Sequence, residues 1–219
     1  MSACNAAFRD VIVDRCLTAL TARGFDRFRK KGVNCHLHDG FYCWVGLNEG
    51  LYRDRLWIEP FVGIHVVPLD KLWENLQKGR WPGKYDRGVA TYAVHMGELE
   101  GAKDEFKFAF TPQQSDGFVQ AEIDRLANLY ATAGLEFAKS IASFDALLPL
   151  LKARVPMLGG YPQRVASCLY LMDRKSEARE FVEGFLPAHR EVFEGFATPF
   201  LGMLKAECAH ERAWEVKAR

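Results

Sequence analysis

Two histidines and a cysteine near residue 40 are the side chains best suited, by type and spacing, to hold a metal ion. They stand on two apolar runs that flank Asp39-Gly40, a pair typical of a two-residue turn between antiparallel strands. If these strands pair regularly, His38 faces Phe41 and His36 faces Cys43. His36, His38 and Cys43 then share one face of the hairpin, and imidazole and thiolate are preferred Zn²⁺ ligands. The spacing predicts a metal site; a partly exposed sheet face with two polar histidines is the alternative interpretation.

A general acid–base site would need a carboxylate beside a histidine, and Glu59 with His65 or His95 is the combination that the predicted sheet offers. Glu59 and His65 are six residues apart, so a regular strand places them on one face but out of contact. The sequence has no glycine-rich phosphate loop and no nucleophile elbow. We therefore expect no cofactor, and a metal-dependent enzyme built on the 33–47 hairpin is the alternative to a non-catalytic protein.

The segment from Gly79 to Gly88 predicts a partner-binding loop. It combines glycines and a proline with aromatic and cationic side chains, namely Arg80, Trp81, Lys84, Tyr85 and Arg87. Trp, Tyr and Arg often anchor protein interfaces, and Gly and Pro can hold them on a short, shaped loop. In the alternative interpretation Trp81 and Tyr85 fold back over the edge of the sheet.

The elements that position these candidates change character near Thr111. Between residues 25 and 110 the apolar residues fall in short, aromatic-rich, strand-like runs, and from residue 118 they recur at helical spacing. This change predicts an α+β fold in two parts. Residues 1–111 should form an antiparallel meandering sheet with flanking helices, and residues 112–219 a helical bundle packed on it.

The same patterns predict the individual elements. Strands are expected at 25–31, 33–38, 41–47, 56–67, 89–99 and 105–110. Helices are expected at 5–22 and 68–79, in a long segment that begins near Ser115, and at 143–154, 162–172, 176–186 and 188–208.

A narrow apolar stripe runs along the long helix. Its members alternate in steps of four and three residues: Val119, Ile123, Leu126, Tyr130, Ala133 and Phe137. Such a stripe can pack within the chain or pair two copies of it. The four helices that follow need a packing surface, so the intramolecular choice is favoured, with a homodimer as the alternative.

The charge balance and the cysteine spacing indicate which kinds of partner and which cellular location to expect. The chain has 219 residues, with 29 Lys and Arg against 28 Asp and Glu and a formal net charge of +1. This balance gives no field that would attract nucleic acid or an acidic membrane. Charges inside the first apolar stretch, such as Arg9 and Asp14, exclude a signal peptide or membrane span, so a cytoplasmic location is expected. The six cysteines lack CxxC spacing, which favours buried thiols over a disulfide framework.

The order of the first elements resembles a known class of proteins. A helix, Gly24-Phe25, a basic strand that ends in Lys30 to Gly32, and then aromatic strands are similar to the start of uncharacterised bacterial α+β domains. Some of those families are immunity proteins, which bind and neutralise toxins. The resemblance covers residues 5 to 110 and implies a protein partner. Many immunity proteins that block nucleases are strongly acidic, whereas this chain is neutral.

Trp81→Ala tests the loop hypothesis. A hot-spot tryptophan should weaken partner binding by about 2 kcal/mol when truncated, yet leave the thermal midpoint nearly unchanged. Calorimetric titration with the partner and thermal unfolding measure the two effects. A strongly lowered midpoint would instead make Trp81 a core residue of the sheet.

Overall fold

The computed structural model describes residues 4–30, 32–76, 88–100 and 107–217. These residues form an antiparallel five-stranded sheet, a smaller sheet and a C-terminal run of helices, which confirms the predicted α+β class. Contacts divide the chain into two compact units, Met1–Val66 with Arg87–Ser143 and Val67–Asp86 with Phe144–Arg219. These bounds differ from the predicted division after residue 111, because the long helix after Ser115 packs within the first unit.

The described strands are, in chain order, β1 (Asp26–Arg29), β2 (Gly32–His38), β3 (Phe41–Gly46), β4 (Glu49–Leu51), β5 (Leu56–Ile58), β6 (Phe61–Val66), β7 (Tyr92–His95) and β8 (Phe108–Phe110). The described α-helices are α1 (Ala6–Thr21), α2 (Val67–Leu76), α3 (Met96–Glu100), α4 (Asp116–Leu129), α5 (Leu135–Ser140), α6 (Phe144–Arg154), α7 (Tyr161–Leu171), α8 (Lys175–Phe185) and α9 (Arg190–Lys217). Strands β1-β2-β3-β6-β7 form the large sheet and β4-β5-β8 the small one. Each neighbouring pair is antiparallel.

Local chemistry sets the bounds of α1. The Asn5 side chain caps its start by accepting a hydrogen bond from the amide of Phe8 at 3.0 Å. Gly24, with a φ of +91°, adopts after its end the left-handed conformation that glycine takes without strain. The buried side of α1 faces β1, β2 and α4.

A π-helical turn interrupts the long helix and corrects the predicted stripe. Residues Tyr130–Gly134 form this turn between α4 and α5. The extra residue of a π turn rotates everything after it, so the buried positions become Gly134 and Ala138 instead of the predicted Ala133 and Phe137. Tyr130 is fully buried, and its hydroxyl donates a hydrogen bond to the carbonyl of Gly46 at 2.7 Å. The stripe therefore packs within the first unit.

Two predicted strands are wrong in extent. The segment 56–67 was expected to be one strand, but it breaks at Glu59 and Pro60 into β5 and β6, which belong to different sheets. The segment 89–99 is strand only at β7, because the amide of Met96 bonds to the carbonyl of Pro60 at 2.9 Å and the chain turns into α3. A proline lacks the amide that would continue the ladder, which explains the first break.

In the second unit α7 is a central helix. All residues from Pro162 to Leu169 are buried, and α7 contacts α2, α6, α8 and α9. Gly160 precedes it with a φ of +89°, and a Cβ at this position would lie 3.0 Å from the Trp73 ring. A row of aromatic rings on α8 and α9 adds to this core: Phe185, Phe193, Phe196 and Phe200.

A buried arginine joins α7 to α2. The guanidinium of Arg164 lies 5.6 Å from the ring centres of both Trp73 and Tyr161, and its Nε is 3.9 Å from a carboxylate oxygen of Asp70. Burial lowers the pKa of Arg164, and the Asp70 charge opposes that shift. The two rings and the carboxylate together stabilise the buried cation.

Within the described residues, no helix combines the length and the apolar character needed to cross a membrane.

Gly63→Ala should disrupt the centre of the large sheet. A Cβ on Gly63 would lie 1.9 Å from the backbone oxygen of Tyr92 and 2.6 Å from the Cα of Ala93, both backbone atoms of the paired strand. We expect a loss of about 3 kcal/mol or more in unfolding free energy, measured by urea denaturation. The control is Gly117→Ala in the first turn of α4, where a Cβ meets no atom within 4 Å, and which should gain about 0.5 kcal/mol. Equal effects of the two variants would contradict this account.

Arg164→Met should destabilise the second unit by about 3 kcal/mol, because it removes a cation from beside the largely buried Asp70 carboxylate. Asp70→Asn added to Arg164→Met should restore part of the loss. Arg190→Met is the matched control, since Arg190 is exposed and its pairing with Glu194 at 3.7 Å should contribute less than about 0.5 kcal/mol. Thermal unfolding compares the variants. A double variant as unstable as the single one would show that the charge on Asp70 is not the cause.

Candidate partner-binding surface

The hairpin does not bring the three predicted metal ligands together. Its turn has the expected conformation, with positive φ values of 37° at Asp39 and 83° at Gly40. Pairing then becomes irregular, because His38 opposes Phe41 but His36 opposes Tyr42. The predicted pairing of His36 with Cys43 is therefore wrong.

The extra residue that shifts the register is Leu37, which has no partner between these pairs. Cys43 opposes Cys35 and is fully buried, whereas His36 and His38 are exposed. Since successive residues of a strand point to opposite faces, His36 and Cys43 lie on different faces of the sheet. Across the described part of the chain, no group of three or more His, Cys, Asp or Glu residues is arranged to hold a metal ion.

The histidines considered for acid–base chemistry are engaged with the backbone. The Nδ1 atom of His65 is 2.9 Å from the carbonyl oxygen of Val89, and His65 is buried. The Nδ1 atom of His95 accepts a hydrogen bond from the amide of Gly97 at 3.1 Å. Glu59 donates its amide to the carbonyl of Asn48 at 3.3 Å. These contacts hold loops and strand ends in place.

The predicted partner-binding loop lies outside the described residues. This concerns all five of its chosen side chains: Arg80, Trp81, Lys84, Tyr85 and Arg87. Their role in partner binding stays a prediction.

The small sheet carries an aromatic and cationic surface that the sequence did not reveal. Its central residue is Trp57 on β5, whose neighbours across the two ladders are Gly50 on β4 and Ala109 on β8. Neither neighbour has a side chain large enough to cover the indole, so Trp57 stays partly exposed. The adjacent residues of β5, Leu56 and Ile58, point the other way and are fully buried.

A second aromatic ring and two cations complete this surface. The ring of Tyr52 lies against Gly50, 3.0 Å from the position of a Cβ there, and Tyr52 is 58% exposed. The Arg55 guanidinium and the Lys107 ammonium lie 6.0 and 5.9 Å from the Trp57 ring centre. We call this surface the Trp57 platform and define it by Tyr52, Arg55, Trp57 and Lys107.

Two cations flank the indole of the Trp57 platform. Arg55 donates a hydrogen bond from Nε to Asp54 at 2.9 Å, which lowers the pKa of Asp54 and raises that of Arg55. This contact fixes the direction of the guanidinium and offsets part of its charge. Lys107 lies at a similar distance from the indole and adds a second cation to the platform.

A cleft of about 580 Å³ opens where β3 ends. The Trp44 ring lies over Gly46, and its Nε1 donates a hydrogen bond to the carbonyl of Gly88 at 2.9 Å. Phe61 and Glu49 also line the cleft, and Glu49 is the one titratable side chain among its described lining residues. The carboxylate of Glu49 lies 3.5 Å from Arg9. The volume is in the range of small-ligand and side-chain pockets.

One local signal could have pointed to the Trp57 platform. Pro60 interrupts an apolar run, and a proline at this position favours the end of a strand before it. The cations flanking Trp57 are Arg55, which directly precedes β5, and the distant residue Lys107, which directly precedes β8. Their convergence depends on the pairing of β5 with β8, which no local pattern encodes.

The first unit thus presents two surface features: the cationic Trp57 platform, and a cleft with aromatic walls and one carboxylate. No family model, curated protein or solved structure matches the chain.

Proposed function

We propose that this protein is a non-catalytic cytosolic module that binds another protein through the Trp57 platform. The observation that carries the proposal is the partly exposed indole of Trp57 between two small residues, with Arg55 and Lys107 about equally distant from its ring. Tryptophan, tyrosine and arginine are enriched at the energetic centres of protein interfaces. Trp57, Tyr52 and Arg55 supply all three types within one short segment.

The geometry of the platform favours tight contact at low entropic cost. Tryptophan and tyrosine have few rotatable bonds, so their burial in an interface fixes large areas with little loss of freedom. Arg55 is already oriented by Asp54 before a partner arrives. Ala109 leaves one side of the indole uncovered, whereas the Tyr52 ring lies against Gly50 on the other side and extends the aromatic surface.

The charge of the platform selects the class of partner surface. Arg55 and Lys107 complement carboxylates, so the partner should present an apolar or aromatic group flanked by Asp or Glu. The formal net charge of this chain is +1, so its overall charge does not repel an acidic partner surface. Within the immunity-type interpretation, this chemistry points away from a nuclease with a basic active site. A toxin or other target with an acidic contact surface fits better.

Trp57→Ala should weaken partner binding by about 2 kcal/mol, which is roughly 30-fold in Kd. A pull-down from the native host identifies the partner, and titration of the purified pair then measures affinity. Arg55→Glu with Lys107→Glu should weaken binding at low salt most strongly, because the contact is electrostatic. Thermal unfolding checks that each variant stays folded.

Val192→Ala is the matched control, because Val192 is an apolar side chain that is 60% exposed in the second unit. It should leave the affinity within experimental error of the parent chain. If Trp57→Ala binds the purified partner as tightly as the parent chain, the platform is not the contact surface. Loss of binding in Trp81→Ala alone would then assign the contact to the predicted loop.

A further inference from the structure

Two cysteines of the large sheet lie directly opposite each other. The shifted register of the hairpin pairs Cys35 on β2 with Cys43 on β3, and both are free thiols. Directly opposed residues of antiparallel strands have Cα atoms about 4.5 or 5.5 Å apart. Both separations fall within the range that a disulfide spans, about 4.4 to 6.8 Å. Regular pairing would have placed His36 there, so the irregularity at Leu37 creates the cysteine pair.

The two thiols differ in access but share one electrostatic environment. Cys35 is partly exposed, whereas Cys43 is fully buried. Burial raises the pKa of Cys35, and the negative charge of Asp26 raises it further by a smaller amount. Burial also raises the pKa of Cys43, to about 12, with a smaller contribution from the neighbouring Cys35. Lys139 acts on both thiols and lowers both pKa values. A reagent in solution therefore reaches Cys35 first.

We infer that Cys35 and Cys43 form a redox-active dithiol pair, which closes to a cross-strand disulfide when it meets a low-molecular-weight disulfide such as oxidised glutathione. This inference is independent of the proposed protein-binding function, because it concerns the large sheet and not the Trp57 platform.

The reaction proceeds by two thiol–disulfide exchanges. The Cys35 thiolate attacks one sulfur of oxidised glutathione, forms a mixed disulfide and releases one glutathione thiolate. The Cys43 thiolate then attacks the Cys35 sulfur, forms the Cys35–Cys43 bond and releases the second glutathione thiolate. The two thiols lose two protons and two electrons in total, and the electrons reduce one oxidised glutathione to two thiolates.

Closure has a measurable consequence for the hairpin. The new covalent loop encloses residues 36–42, which include the extra residue Leu37 and the turn. A disulfide across so short a loop restricts the unfolded chain, and the thermal midpoint of the oxidised protein should rise by roughly 5 °C. Addition of a reducing agent should return the midpoint to its starting value.

The test treats the folded full-length chain with oxidised glutathione at mildly alkaline pH, without denaturant. A Cys208→Ser background removes the cysteine whose side chain is not among those described. Intact-mass spectrometry should show loss of two hydrogens, and peptide mapping should assign the bond to Cys35 and Cys43. Cys43→Ser should stop at a mixed disulfide on Cys35, and Cys35→Ser should form neither product.

Cys168→Ser is the matched control, because Cys168 is also buried with a pKa raised to about 12 and should not contribute to the product. Three results would overturn the inference. The first is a parent chain that stops at the mixed disulfide, which shows that the pair cannot close. The second is a bond that maps to other cysteines. The third is an absence of reaction at Cys35 over a day under these conditions.

Discussion

The first unit depends on the break of the chain at Glu59 and Pro60. A proline cannot donate to a strand ladder, so the apolar run that begins at Leu56 cannot remain in one sheet to Val66. The break sends β5 into the small sheet and β6 into the centre of the large one. The carbonyl of Pro60 also accepts the amide of Met96, which ends β7 and starts α3. Without this interruption Trp57 would lie in the large sheet, away from Lys107.

A second irregularity is the π-helical turn at Tyr130–Gly134, which changes the helix face that packs on the large sheet. It lets Tyr130 reach the carbonyl of Gly46 while the helix beyond it continues with a rotated face. Gly134 then sits close to Val62 and Met96, with 3.3 and 3.4 Å between their side chains and the position of a Cβ. The extra residue of the π turn thus allows both the hydrogen bond of Tyr130 and the close packing of Gly134.

Local chemistry in the sequence was enough to predict the fold class and many elements. Gly24 marks the end of α1 and Asp39-Gly40 forms the expected turn. Three helices after residue 143 lie within one residue of their predicted bounds, whereas α9 continues to Lys217 beyond its predicted end at 208. The break at Pro60 had a local signal in the sequence, whereas the other failures depend on a single extra residue or on contact between distant segments. Leu37 shifts the hairpin register, and the π turn shifts the buried stripe. The Trp57 platform needs residues 50, 57 and 109 in register, which no window of neighbouring residues contains.

Gly46 is fixed by two aromatic side chains. The Trp44 ring would lie 2.2 Å from a Cβ at this position, and the Gly46 carbonyl accepts a hydrogen bond from the hydroxyl of Tyr130. A side chain at 46 would therefore require the Trp44 ring to move, and that movement would change a wall of the cleft. Tyr130 links the same glycine to the helical core. The absence of a side chain at Gly46 thus sets the position of the Trp44 ring and, through it, the shape of the cleft.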